Sequence, residues 1–261
     1  MAEATLLLGG GLLAGMLGGL LGLGGGIVLM PLLRFVVGLS AAQAAGTCIL
    51  AVFFTTVGGT LRHLRQGQLE LRSIVPLALS GALACALFSL LFAYLARRDG
   101  WLDLGIGLVF AVIAGRMLLS GVSRRAGLVD QQGETQVRGP LWLKLAIGTA
   151  GGILPGLLGI GTGGILVPAL TFLLRSPVKT AMAASLACFS VNAAISAAFK
   201  AAQGHVAPRV ALPLCIGTLI GANLGAALNR RSSSRLVRIL FGAVFTCVSI
   251  RFIISFQGAA P

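Results

Sequence analysis

The chain has 261 residues, of which 57% are hydrophobic and 10% charged, and its 20 Lys and Arg outnumber its 6 Asp and Glu. This composition excludes a soluble globular domain, which needs far more polar surface, and indicates an integral membrane protein that crosses the bilayer several times. The net charge of +14 does not indicate nucleic-acid binding, because the basic residues lie in short loops and form no continuous stripe with aromatic residues. The positive-inside rule explains the same excess.

Long apolar runs predict an all-α fold. The first residues carry Glu3 and no Lys or Arg, so a cleavable signal peptide is not expected and the first run should stay in the mature protein. Helices are predicted at residues 4–37, 41–60, 74–95, 103–121, 141–174, 180–199, 210–228 and 236–256. Two of these runs, 4–37 and 141–174, would form about 50 Å of helix, against a hydrocarbon core of about 30 Å, so each must break. The glycine clusters mark the breaks.

The chain contains an internal duplication. The segment Gly22–Pro31 returns 137 residues later as Gly159–Pro168, and further identities at this spacing, later at 135, extend through nearly the whole chain. We therefore expect a first membrane repeat at residues 1–122, a polar linker at 123–140 and a second membrane repeat at 141–261.

Loop charges decide between two topologies. If each broken segment crossed the membrane once, the repeats would be parallel and the Lys and Arg would divide evenly between the two sides. If each folds back as a hairpin, the second repeat is inverted, and one side carries thirteen basic residues against five, namely Arg34, Arg97, Arg98, Lys200 and Arg209. This bias favours two inverted repeats, each with a glycine-broken helical hairpin and three transmembrane helices, with both termini outside and the linker cytoplasmic.

The glycine breaks are the candidate site. Non-helical backbone inside a membrane survives only where protein buries it or a water-filled cavity solvates it. Helices that begin after a break direct free N–H groups into such a cavity, which suits an anion. Tight helix packing is the alternative reason for the glycines. The residues proposed to bind substrate are Gly24, Gly25, Gly26, Thr47, Cys48, Thr55, Gly161, Thr162, Gly163, Ser185 and Asn192.

The sequence offers few residues for catalysis or for binding a metal, cofactor or nucleotide. The six acids lie in tails, loops or at helix ends, so we expect no buried carboxylate, catalytic pair, metal site or cofactor, and no enzyme. His63 and His205 are assigned to loops, and the five cysteines are expected to be buried, inert thiols. The GxGxxG pattern that begins at Gly159 lies in an apolar run without a following acid, so it does not indicate nucleotide binding.

Two arginines occupy equivalent places in the last predicted helix of each repeat. Arg116 and Arg251 are candidates for attracting an anion, because an intramembrane arginine is often functional. Both also lie near helix ends, where the side chain can instead reach the membrane interface.

The sequence resembles the sulfite exporter TauE/SafE family of membrane permeases. The resemblance rests on the two Gly-rich segments followed by Pro, on segments 44–48 and 181–185, which resemble the family's A-x-G-T-S pattern, and on segment 217–225. It covers essentially the whole chain. It implies export of small anions such as sulfite, sulfonates or related organosulfur anions. Cys48 stands where the family pattern has Ser, and Ala184 where it has Thr.

We therefore expect a secondary transporter that moves a small anion by alternating access around a midplane site, through rocking or gating of the two halves. A passive anion channel and a non-transporting membrane scaffold are the alternatives. The expected partners are the anionic substrate, membrane lipid, a coupling ion (H⁺ or Na⁺) and further copies of the chain, but no nucleic acid. The expected location is the bacterial inner membrane.

Overall fold

A computed structural model describes residues 2–22, 24–67, 69–96, 102–109, 111–112, 136–161 and 163–228. All regular elements in these ranges are helical, as the apolar runs predict. They are α1 (Ala2–Leu21), α2 (Gly26–Pro31), a π-helical turn (Leu32–Val36), α3 (Ala41–Arg65), a 3-10 turn (Leu71–Ile74), α4 (Val75–Leu95), α5 (Leu141–Leu158), α6 (Gly163–Phe172), α7 (Val178–Ala202) and α8 (Pro208–Leu228). Residues 102–109 are also helical.

Five helices in the described part are long and apolar enough to cross a membrane: α3, α4, α5, α7 and α8. Shorter apolar helices occupy residues 5–20 and 26–36. Along α4, large apolar side chains are exposed at Leu79, Leu83 and Leu87, one helical turn apart. A water-soluble protein would bury such a stripe, whereas a membrane helix presents it to lipid. The predicted last helix of the second repeat, 236–256, lies outside the described residues.

Both long apolar runs break at glycine. Helix α1 ends at Leu21 and α2 begins at Gly26, while α5 ends at Leu158 and α6 begins at Gly163. Gly22 and Gly159, which are 137 residues apart, both have left-handed backbone angles, with φ of 71° and 68°. Only glycine adopts this conformation routinely, so the same residue ends the helix in each repeat. After the first break the chain turns back along α1, since a Cβ on Gly10 would lie 2.9 Å from Leu32 Cδ2.

Two glycine-lined helix pairs form the framework. In the first pair, Gly11, Gly15 and Gly19 of α1 lie against Leu214, Thr218 and Ala222 of α8, so the two helices run parallel. In the second pair, Gly148, Gly152 and Gly156 of α5 lie against Leu77, Gly81 and Cys85 of α4, again in parallel. Glycine at every fourth position lets the backbones touch, which is the usual way for helices to associate in lipid.

The remaining long helices complete two three-helix bodies. Helix α3 joins α1 and α8, with Thr218 Oγ1 donating to the Ala51 carbonyl at 3.1 Å. Helix α7 joins α4 and α5, with Cys85 Sγ donating to the Asn192 carbonyl at 3.1 Å. Each body therefore combines two helices of one repeat with one helix of the other.

The two bodies meet along α3 and α7. A Cβ on Gly59 of α3 would lie 3.0 Å from Leu186, near the start of α7. Gly46, near the start of α3, contacts His205, just after the end of α7. These contacts show that α3 and α7, the corresponding helices of the two repeats, run in opposite directions.

Candidate functional site

The two glycine breaks meet each other. A Cβ built on Gly26 would lie only 2.9 Å from the backbone nitrogen of Gly161 and 3.0 Å from Val52 Cγ2. Gly26 belongs to the first repeat and Gly161 to the second, so the glycine breaks of both repeats contact each other. Any side chain at Gly26 would separate the two backbones.

The first break lies against α7 of the other repeat. Ser185 Oγ donates a hydrogen bond to the Gly22 carbonyl at 3.5 Å, and a Cβ on Gly22 would lie 3.1 Å from Met182 Cβ. One turn further along α7, the buried ring of Phe189 lies so close to Gly24 that a Cβ there would be 2.7 Å from it. The first break therefore packs closely against α7, and a side chain at Gly22 or Gly24 would crowd that helix.

The second break lies against α3 in the same manner. Gly159 contacts the Ala45 carbonyl. Within the first repeat, Cys48 Sγ donates to the Gly26 carbonyl at 3.5 Å. Ala45 and Cys48 belong to segment 44–48, and Met182 and Ser185 to its counterpart, segment 181–185. The small residues of both segments thus let each break approach the opposite repeat closely.

The local electrostatics suit a negative charge. Gly25 is the N-cap of α2 and has no side chain with which to bond the first N–H groups of that helix. Neither α2 nor α6 has an acidic residue in its first turn. A helix N-terminus carries a partial positive charge and unsatisfied donors, so both helices begin at the breaks with a potential that attracts anions.

Several of the proposed site residues point elsewhere. Gly25 lies against the Ala14 carbonyl of α1. Thr47 Oγ1 accepts a hydrogen bond from the Ala207 amide at 3.0 Å, next to the start of α8, and Thr55 bonds back to the Ala51 carbonyl of its own helix. The side chains of Thr47 and Thr55 therefore stabilise the helix framework.

Asn192 lies in the packing between α4 and α5. Its Nδ2 donates to the Gly151 carbonyl at 3.4 Å, while its Oδ1 is buried without a hydrogen-bond partner. Gly163 begins α6 directly after the second break. Thr162, Arg116 and Arg251 lie outside the described residues.

Two basic residues that the sequence suggests are in loops are buried in helices. Lys200 lies in α7 with 0% of its surface exposed, and His63 lies in α3 with 2% exposed. They are 137 residues apart and occupy equivalent positions in the two repeats. A prediction from apolar runs alone places the ends of α3 and α7 too early, because these polar residues have interaction partners inside the protein. His205 does lie in the loop after α7, where its ring meets Phe92 edge-on.

The expectation of no buried carboxylate is also wrong. Asp103 is 1% exposed and forms a two-point ion pair with Arg34, with Nη2 to Oδ2 at 2.6 Å and Nε to Oδ1 at 3.0 Å. Arg34 also donates to the Leu39 carbonyl at 3.0 Å. The pair cancels its own charge and ties the π-helical turn to the helical segment 102–109.

Within the described ranges, no cluster of three or more His, Cys, Asp or Glu could hold a metal ion. The thiols of Cys48, Cys85, Cys188 and Cys215 are free and buried, as expected. Gly24 and Gly26 are surrounded by Val52, Phe189 and Thr56, which are not among the residues predicted from the sequence. Their spacing along α3 and α7 is ordinary for core residues, so the sequence carried no separate signal for them.

Proteins named as probable membrane transporters resemble this chain over most of its length. Residues 7–252 match the family model described as sulfite exporter TauE/SafE. The chain is 28% identical to "Probable membrane transporter protein YunE" of Bacillus subtilis (strain 168), covering 93% of this chain and 94% of that protein. It is 33% identical to "Probable membrane transporter protein" of Xylella fastidiosa (strain 9a5c), covering 93% and 92%. No solved structure matches the chain. The family match over nearly its whole length shows that the chain is an integral membrane protein of the TauE/SafE sulfite exporter family.

Proposed function

We propose that this protein is a secondary transporter that exports small anions such as sulfite, sulfonates or related organosulfur anions across a bacterial inner membrane. The observation that carries the proposal is the meeting of Gly26 and Gly161, which places the breaks of both repeats at one point. Two helices begin there without an acidic residue in their first turns, so the point favours an anion over a cation.

An inverted repeat is part of the proposal. The opposite directions of α3 and α7 support it, as does the exchange of helices between the bodies, since α1 pairs with α8 as α5 pairs with α4. In inverted-repeat transporters, substrate binds at the interface of the repeats between discontinuous helices. The region around Gly26 and Gly161 has this character.

The exchanged helices also suggest which parts move. The glycine-lined pairs are packed backbone to backbone and are poor candidates for sliding. The contact between α3 and α7 joins the two bodies and flanks both breaks. Alternating access would then be a rocking of the body α1, α3, α8 against the body α4, α5, α7, rather than of the two sequence halves. An H⁺ or Na⁺ gradient would drive it.

Flux measurements with purified protein in proteoliposomes test the proposal. Vesicles loaded with unlabelled sulfite should accumulate radiolabelled sulfite transiently, and the uptake should saturate with concentration. Taurine, which is a zwitterion, should compete less well than methanesulfonate. An ohmic, voltage-driven anion current without counterflow would indicate a channel instead, and absence of any anion flux would indicate a scaffold.

A further inference from the structure

Lys200 is a buried amine whose donors are all used. Its Nζ donates to the carbonyls of Pro155 at 3.1 Å and Gly156 at 2.7 Å, and to Ser196 Oγ at 2.9 Å. The amine also lies 4.1 Å from the centre of the Phe92 ring. Three oxygen acceptors and an aromatic face together stabilise an ammonium ion in an environment without water.

The position of Lys200 connects it to the glycine site. Pro155 and Gly156 belong to the last turn of α5, directly before the break at Gly159, so the ammonium holds the end of the helix that leads into the site. Ser196 strengthens this hold by donating to the Pro155 carbonyl at 2.6 Å. The carbonyl end of a helix is its negative pole, which is where a cation stabilises it.

The hydrogen-bond acceptors of Lys200 also lie close to the glycine site along the chain. Gly156, whose carbonyl accepts from Lys200, lies three residues before Gly159, and Gly161 of the same break lies against Gly26. The three oxygen acceptors of Lys200 are neutral and do not cancel the charge of an ammonium group, whereas Asp103 neutralises the charge of Arg34. A positive charge held in a medium of low dielectric acts over a longer distance than one in water.

We propose that Lys200 is a buried cation that adds to the preference of the glycine site for anions, and that favours doubly charged over singly charged oxyanions. It acts through its field and by positioning the end of α5, without touching the substrate. This inference rests on the proposed transport function. A unit charge about 10 Å away at an effective dielectric constant of about 20 changes affinity for a monoanion roughly tenfold, and for a dianion by about the square of that factor.

The test compares Lys200→Gln, which keeps a hydrogen-bond donor without the charge, with Lys200→Arg, which keeps the charge. Inhibition of sulfite uptake is measured with sulfate, a dianion, and methanesulfonate, a monoanion. We expect Lys200→Gln to weaken inhibition by methanesulfonate about tenfold and inhibition by sulfate about a hundredfold. Lys200→Arg and the charge-preserving Ser196→Ala should retain the wild-type ratio of the two inhibition constants.

An unchanged ratio of the sulfate and methanesulfonate inhibition constants in Lys200→Gln would overturn the role of the charge, even if uptake were slower. A purely structural defect would weaken the binding of both anions alike. Should Lys200→Gln fail to insert, Lys200→His offers a charge that can be switched within one folded protein. Its ratio should match wild type at acidic pH and shift towards weaker sulfate binding at alkaline pH. Lys200→Arg, which keeps its charge over this pH range and shares the neighbouring Cys48, Cys85 and His205, serves as the pH control. Absence of saturable anion flux in wild type would instead remove the proposed function.

Discussion

Three consecutive glycines of α1 offer a graded test of the helix packing. A Cβ on Gly9 would have nothing within 4 Å, and one on Gly10 would meet only the flexible end of the Leu32 side chain, at 2.9 Å. A Cβ on Gly11 would meet the backbone of α8, with the Leu214 carbonyl oxygen at 2.7 Å and its Cα at 3.2 Å. Backbone cannot rotate away, so α1 and α8 would have to separate by about 0.7 Å to restore an ordinary contact of 3.4 Å.

The three alanine variants should therefore differ in stability. Replacing an exposed helical glycine by alanine stabilises by about 1 kcal/mol, and Gly9→Ala should show this gain. Gly10→Ala should be close to wild type, since a shift of Leu32 offsets part of the same gain. Overpacking of a well-packed contact costs about 1–3 kcal/mol, so Gly11→Ala should be less stable than Gly9→Ala by about that amount.

Each purified variant is unfolded in the same mild detergent by titration with a denaturing detergent. Tryptophan fluorescence reports the unfolding transition. The three substitutions are chemically identical and adjacent, so helix propensity and detergent binding are matched. If Gly11→Ala proved as stable as Gly9→Ala, the close contact of α1 with α8 would be refuted.

Two further predictions concern one ion pair and one backbone conformation. Asp103→Asn should destabilise the protein by about 2–4 kcal/mol, less than for a fully buried pair because Arg34 is 22% exposed, and replacing Arg34 by Met as well should recover part of the loss in a double-mutant unfolding cycle. Gly38→Ala should cost about 1–2 kcal/mol, because φ is 76° with open space around the Cβ, so the cost is conformational. Arg175→Gly, at the equivalent position with φ of 51°, should not lower the unfolding midpoint, and a clear loss there would contradict the strain argument.

Local sequence features predicted much of the fold. The length of the runs 4–37 and 141–174 requires breaks, and the observed breaks fall at their glycine clusters. Helices α4 and α8 begin and end within about two residues of the apolar runs, since charges and Gly or Pro residues flank both. Glycine at every fourth position of α1, α5 and α8 is a sequence signal for the close helix pairing that the structure shows.

The side-chain environments were not predictable in this way, because their partners are remote in sequence. Thr47 bonds to an amide 160 residues away, Arg34 pairs with an aspartate 69 residues away, and Lys200 with carbonyls 44 and 45 residues away. A charged residue beside an apolar run indicates a loop when only the local sequence is considered. It becomes a buried helical residue only if another element supplies acceptors, as α5 does for Lys200.

Sulfite counterflow measures whether the anion passes the meeting point of Gly26 and Gly161. Gly26→Ala places a methyl group 2.9 Å from the Gly161 nitrogen, while Gly9→Ala adds the same group to open space. Because small displacements at a binding site have large effects on rate, we expect Gly26→Ala to reduce counterflow at least about tenfold in correctly inserted protein. Gly9→Ala should match wild type. Counterflow by Gly26→Ala at the wild-type rate and with the wild-type KM would contradict the account.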